Sequence, residues 1–132
     1  MEVEYTGLLV VRTTTDAVSL GMPVVAVLAA LDEEIQAFQG EYDLEPLPAE
    51  DPFVAFRFQV GDVKVVLTRT GVGKVFAAMV AQRVVDRIRP DYLIVTGIAG
   101  SVGEGLSLGD VVVSRDCIQH DLDATSLGFQ LG

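Results

Sequence analysis

Five consecutive apolar residues, Val24-Val25-Ala26-Val27-Leu28, are followed four positions later by the acidic triplet Asp32-Glu33-Glu34. An uninterrupted apolar run of that length, without alternation, is the pattern of a strand covered on both faces. Acidic residues in a first helical turn favour the positive end of the helix dipole, which predicts a helix over about residues 32–40. A strand that needs cover on both sides, leading straight into a helix, restricts the chain to architectures in which helices pack on a sheet.

The remaining pattern agrees. Pro46, Pro48 and Pro52 make residues 41–52 a loop. Phe56, Phe58 and Val60 alternate with Arg57 and Gln59, as in a half-buried strand, and Gly61-Asp62 turns the chain into a second strand over Val63 to Leu67. Gly71-Val72-Gly73 introduces a helix over about residues 74–88, with apolar Val75, Met79, Val80, Val84 and Ile88 at helical spacing and Pro90 blocking continuation. Tyr92 to Val95 is predicted to be a buried strand ending in Thr96-Gly97-Ile98-Ala99-Gly100, and Gly109-Asp110 leads into Val111-Val112-Val113. Strand, helix, hairpin, helix, strand implies a mixed α/β sheet, whose ligands bind beyond the carboxyl ends of its strands. Residues 1–21 stand apart as an N-terminal extension, either an extra strand or a loose segment, ahead of a domain portion over residues 22–132.

Composition narrows the function. At 132 residues the chain is the size of one domain, and half of it is hydrophobic. That surplus fits a parallel sheet buried on both faces and surface meant for a partner. No apolar run reaches the roughly 18–20 residues of a membrane span. A formal charge of −10, with nine scattered Lys and Arg, argues against nucleic acid and anionic membrane as partners. One histidine cannot build a His-rich metal site and one cysteine, Cys117, cannot close an internal disulfide. No metal and no cofactor are expected, and the cytoplasm is the expected compartment. Cys117 is expected to be a small buried residue.

Each candidate motif has a bland reading beside the functional one. Gly71-Val72-Gly73 fails as a dinucleotide fingerprint because Phe76 stands where the third glycine belongs, and fails as a P-loop because Val75 follows Lys74. A tight strand-to-helix turn and a loop that lets a ligand approach the backbone both remain. The same holds for Thr96 to Gly100, where small residues allow close approach of a planar ligand or a sugar. The acidic triplet is either a solvated helix start or the source of one inward carboxylate able to deprotonate a water; spacing does not say which acid that is. His120-Asp121 reads as acid–base machinery or, without a Ser or Cys nucleophile beside it, as a hydrogen-bonded structural pair.

Taken in order, Ala30-Leu31-Asp32-Glu33-Glu34, Gly71 to Val75, Thr96 to Gly100, Gly109 to Ser114 and His120 to Thr125 resemble the 5′-methylthioadenosine/S-adenosylhomocysteine nucleosidase branch of the purine nucleoside phosphorylase superfamily. The resemblance covers about residues 22–131, the N-terminal half of that family's fold. It implies a three-layer α/β/α domain with a mixed central sheet and hydrolysis of the N-glycosidic bond of a purine nucleoside. It gives Glu34 the water-activating role. Leu31 and Val72 would lie near the ribose and the water, Ile98, Ala99 and Gly100 would line the purine and ribose, and Ala124 and Leu127 would reach a neighbouring subunit's alkylthio pocket in a homodimer.

Two positions depart from the family. Ile98 stands where close nucleosidases carry a serine, and Leu127 where an aromatic is common, which leaves the substrate open. The family's catalytic aspartate and its Glu-Met-Glu segment have no counterpart in residues 1–132, so the chain alone is expected to be catalytically incomplete. In the complete protein, Glu34→Gln is expected to cut turnover by at least about 100-fold, with little effect on folding. A phosphate-dependent nucleoside phosphorylase and a non-catalytic nucleoside-binding module are the alternatives.

Overall fold

The computed structural model describes residues 4–13, 21–48, 54–101 and 104–130. The rest of the expected N-terminal extension (1–3 and 14–20), the end of the proline loop with Pro52, and Leu131 lie outside the described residues. The described elements are strands β1 (Glu4–Arg12) and β2 (Val24–Ala29), helix α1 (Asp32–Gln39), strands β3 (Glu45–Pro46), β4 (Ala55–Val60) and β5 (Val63–Arg69), helix α2 (Lys74–Ile88), and strands β6 (Tyr92–Gly100) and β7 (Val111–Ser114). A single 3₁₀ turn, Thr125–Leu127, follows.

The strands form one sheet in the order β3-β4-β5-β2-β6-β1-β7. β2 runs parallel to β5 on one side and to β6 on the other, whereas β4 is antiparallel to β5 and β1 antiparallel to β6. The sheet is therefore mixed, as expected. Successive β2 side chains go to opposite faces. Ala26 and Leu28 pack with Val80, Val84 and Leu93 under α2, while Val27 and Ala29 pack with Ile35, Val65 and Leu67 under α1. The two helices thus cover opposite faces, which makes the three-layer α/β/α arrangement. The apolar run from Val24 is explained by this double cover, and burying each large side chain of it contributes about 1.5–3 kcal/mol.

Local chemistry sets the ends of these elements. Gly61, with φ +56°, makes the turn between β4 and β5. Asp91 ties the starts of β2 and β6 together: its Oδ2 accepts the Val24 N–H and its own N–H donates to the Val24 carbonyl, each at 2.8 Å. Phe58 meets Phe38 and Tyr42 at ring-centroid distances of 6.1 and 4.7 Å, which seats the end of α1 on β4.

Several expectations need correction. Val75 and Met79 are not core residues: Val75 is 81 % exposed and Met79 is exposed too, so the buried stripe of α2 starts at Val80. The first turn of α2 faces open clefts rather than the sheet. The strand at Tyr92 is not buried throughout, because only Leu93 is fully covered, and it does not end at Val95. It runs on to Gly100 because β1 pairs with it along its whole length, from Glu4 opposite Gly100 to Arg12 opposite Tyr92. Residues 4–12 therefore adopt the strand alternative. Cys117 is exposed, not buried, since the chain after β7 leaves the sheet. The proline loop contains the two-residue strand β3, held by pairing to Phe56 and Arg57.

Candidate active site

Because β2, β5 and β6 are parallel, their carboxyl ends meet at one edge: Ala29 pairs with Arg69, and Leu28 with Val95. The segments beyond those ends, Ala30 to Glu34, Thr70 to Lys74 and the end of β6, are thereby neighbours. Thr70 closes the first gap, its N–H donating to the Ala29 carbonyl at 2.8 Å.

The acidic triplet separates into three roles. Asp32 is taken by Arg69, whose Nη1 lies 2.7 Å from both carboxylate oxygens. Glu33 is exposed at the rim. Glu34 is half-buried and turned back over the strand ends. Its Oε2 accepts the N–H groups of Ala30 at 2.7 Å and Leu31 at 3.0 Å, and its Oε1 accepts the N–H of Ile98 at 3.1 Å. The bond to Leu31 is half of a capping box, a purely structural use of a glutamate at this position. Leu31 itself offers no side-chain cap. The bond to Ile98 is different in kind, because it crosses from α1 to β6. A carboxylate has about four lone-pair positions, so three amide donors leave about one for a further donor such as water.

Leu31 and Val72 come together on an open cleft of about 420 Å³, also lined by Glu33, Thr70, Phe76 and Met79. Val72 is 72 % exposed there. The loop carrying it needs its glycines for conformation, since Gly71 and Gly73 have φ +75° and +108°. Ile98, Ala99 and Gly100 are exposed along the last residues of β6, with the Ile98 backbone on Glu34. Ala124 stands elsewhere, in a separate hollow of about 330 Å³ with Leu122 and Phe129. Leu127 is 77 % exposed on the 3₁₀ turn. A further cleft of about 310 Å³, between α2 and the β4–β5 hairpin, includes none of these residues.

His120 and Asp121 do not form a mutual hydrogen bond among those described. Asp121 instead accepts from Lys74 Nζ at 2.5 and 2.6 Å, which ties the C-terminal segment to the start of α2. That hydrogen bond, ahead of one from the Asp121 backbone N–H, holds the Asp121 carboxyl below its ordinary value against an opposing desolvation. Asp123 is likewise lowered, first by the Thr125 hydroxyl and then by the Thr125 N–H. Among the described residues no group of three or more His, Cys, Asp or Glu is placed to hold a metal ion.

Sequence reasoning missed two contributors: the Ala30 N–H, which no side-chain pattern could reveal, and Gly97. A Cβ built at Gly97 would lie 2.7 Å from Glu34 Oε1. The glycine in Thr96-Gly97-Ile98 was the available signal, but its meaning needed the position of Glu34.

Residues 24–132 match the family model of the phosphorylase superfamily. A 5′-methylthioadenosine/S-adenosylhomocysteine nucleosidase of a Geobacillus species is 36 % identical over 110 residues, which is 82 % of this chain and 47 % of the relative. The crystal structure of such a nucleosidase from Neisseria meningitidis, in complex with methylthio-immucillin-A, matches with TM-score 0.75 and 32 % identity over 83 % of this chain and 47 % of that one. One from Colwellia psychrerythraea, in complex with adenine, matches with TM-score 0.76 and 28 % identity over 84 % and 46 %. The chain thus spans about half the length of the curated relatives it matches. Over residues 24–132 the chain belongs to the phosphorylase superfamily, and the relatives named above are 5′-methylthioadenosine/S-adenosylhomocysteine nucleosidases.

Proposed function

We propose that residues 22–132 form the water-activating part of a purine nucleosidase site, with residues 1–21 an extension that lends β1 to the sheet. The observation that carries this reading is the Glu34 carboxylate, drawn off its helix towards β6 with about one acceptor position left open. Glu34 holds a water and takes its proton as the water oxygen bonds to the ribose anomeric carbon. The C–N bond to the purine breaks, its electron pair leaves with the base, and the base takes a proton from a donor outside this chain's share of the site. General base catalysis of this kind is worth about 10²–10⁴-fold.

Leu31 and Val72 then border the ribose and water, and Ile98, Ala99 and Gly100 the purine and ribose. Methylthioadenosine, adenosylhomocysteine or a related nucleoside is the substrate. Relatives that bind adenine and a methylthio-immucillin support that class. A homodimer belongs to the same proposal, supported by the exposed apolar side chains of Leu122, Leu127 and Phe129 around Ala124. The cytoplasm is supported by the single, exposed cysteine.

The test is a chimera carrying residues 22–132 followed by the part of the Geobacillus nucleosidase that these residues do not cover. Adenine release from methylthioadenosine in phosphate-free buffer is the expected result. Release that requires phosphate would make the site a phosphorylase, and nucleoside binding without release would make it a binding module. A clean monomer that remains active in sedimentation would remove the dimer.

A further inference from the structure

We infer that Gly97 is a positioning residue for Glu34, acting through the side chain it lacks; this rests on the reading of Glu34 as the water-activating group. Gly97 lies inside β6, paired with Gly7 of β1, and its φ is outside the left-handed region. Any residue adopts that backbone, so conformation does not explain the glycine. Gly71 and Gly73 are the opposite case: their φ values are positive, yet nothing stands within 4 Å of a Cβ built on either. Those two serve the turn, and Gly97 serves a neighbour.

The neighbour is Glu34. The three atoms nearest a Cβ at position 97 all belong to it: Oε1 at 2.7 Å, Cδ at 3.5 Å and Oε2 at 3.8 Å. A contact of 2.7 Å is shorter than carbon and oxygen tolerate, so one of them must move. A free glutamate tip would swing aside at little cost. This one is held at both oxygens, by Ala30 and Leu31 on one side and Ile98 on the other. With alanine at 97, Oε1 leaves the Ile98 N–H while Oε2 stays with Ala30 and Leu31. The carboxylate then pivots about Oε2, the link from α1 to β6 opens, and the remaining lone pair no longer points where the strand ends converge. Gly97 therefore fixes the direction of the carboxylate without touching substrate.

The experiment uses this chain and two readouts that do not involve turnover. Urea unfolding of wild type, Gly97→Ala, Glu34→Ala and the double variant forms a cycle that isolates the coupling of the two positions. Gly97→Ala is expected to lower the folding equilibrium constant by about tenfold or more when Glu34 is present, and by no more than about twofold when position 34 is alanine. The Ile98 amide, bonded to Glu34 Oε1, is expected to be protected from hydrogen exchange in wild type and to lose that protection in Gly97→Ala. Should Gly97→Ala fail to fold, the double variant is expected to fold, since the obstacle is then gone. Equal destabilisation in both backgrounds, failure of both variants to fold, or retained protection of the Ile98 amide in Gly97→Ala each overturns the assignment. An active Glu34→Gln chimera would instead remove the proposed function and leave these results intact.

Discussion

The Glu34 carboxylate on α1 accepts the backbone N–H of Ile98 on β6, 64 positions along the chain, at 3.1 Å. The bond joins the helix that follows β2 to the strand beside β2, at the edge where the parallel strands end. A helix-capping glutamate needs no such partner. Its second oxygen would face water, whereas here it reaches the strand that carries Ile98, Ala99 and Gly100.

Glu34→Gln should destabilise the fold as well as the proposed chemistry. Ionised glutamate is acceptor-only and meets three N–H donors. Glutamine offers one oxygen, so its amide NH₂ must face at least one of those donors. The cost is about 1–2 kcal/mol, measurable by urea unfolding. The sequence alone predicts little effect on folding, and the three amide bonds argue for a larger one. An unchanged unfolding midpoint would show that water satisfies these amides equally well.

Leu28 and Val75 give a contrast inside one fold. Leu28 is fully buried between β2 and α2, and Leu28→Ala should cost about 2–5 kcal/mol through lost burial and a residual cavity. Val75→Ala should stay within about 0.5 kcal/mol, because the side chain faces solvent. Similar losses at both positions in urea unfolding would place the first turn of α2 against the core.

Lys74 and Asp121 give a pH signature. The Lys74 hydrogen bond lowers the folded carboxyl below its unfolded value. Whatever stability the pair contributes is thus present in full above the unfolded value, and is lost as pH falls through the lowered folded one. The pair is solvent-exposed, so the effect on stability is small and weakens with salt. Carboxyl NMR titration should place Asp121 below the ordinary aspartate value, and Lys74→Ala should raise it. An Asp121 unaffected by Lys74→Ala would show that the ion pair does not persist.

The sequence made the layers legible because each depended on a local pattern. The unbroken apolar run at Val24 marks a strand covered twice, and Gly61-Asp62 marks the hairpin turn; both stand as read. Val75 misled because it shares the helical period of Val80 and Val84, and periodicity gives a face but not how far the sheet extends beneath it. The extent of β6 was hidden in residues 4–12, whose pairing is long-range. At the site, the third acid of the triplet was named through a family resemblance. Its bonds to Ala30 and Leu31 are local, but its bond to Ile98 and the space left at Gly97 arise only when β2 and β6 lie side by side.

Glu34 is proposed to activate the attacking water. The direct measurement is single-turnover adenine release from methylthioadenosine by the chimera of residues 22–132 with the remaining part of the Geobacillus nucleosidase, compared with its Glu34→Gln variant. Both are first shown to be folded at the assay temperature. Release at least about 100-fold slower is expected in the variant, the lower end for loss of a general base, with nucleoside affinity retained. Release at the wild-type rate from a folded Glu34→Gln variant would contradict it and leave Glu34 as the cap of α1.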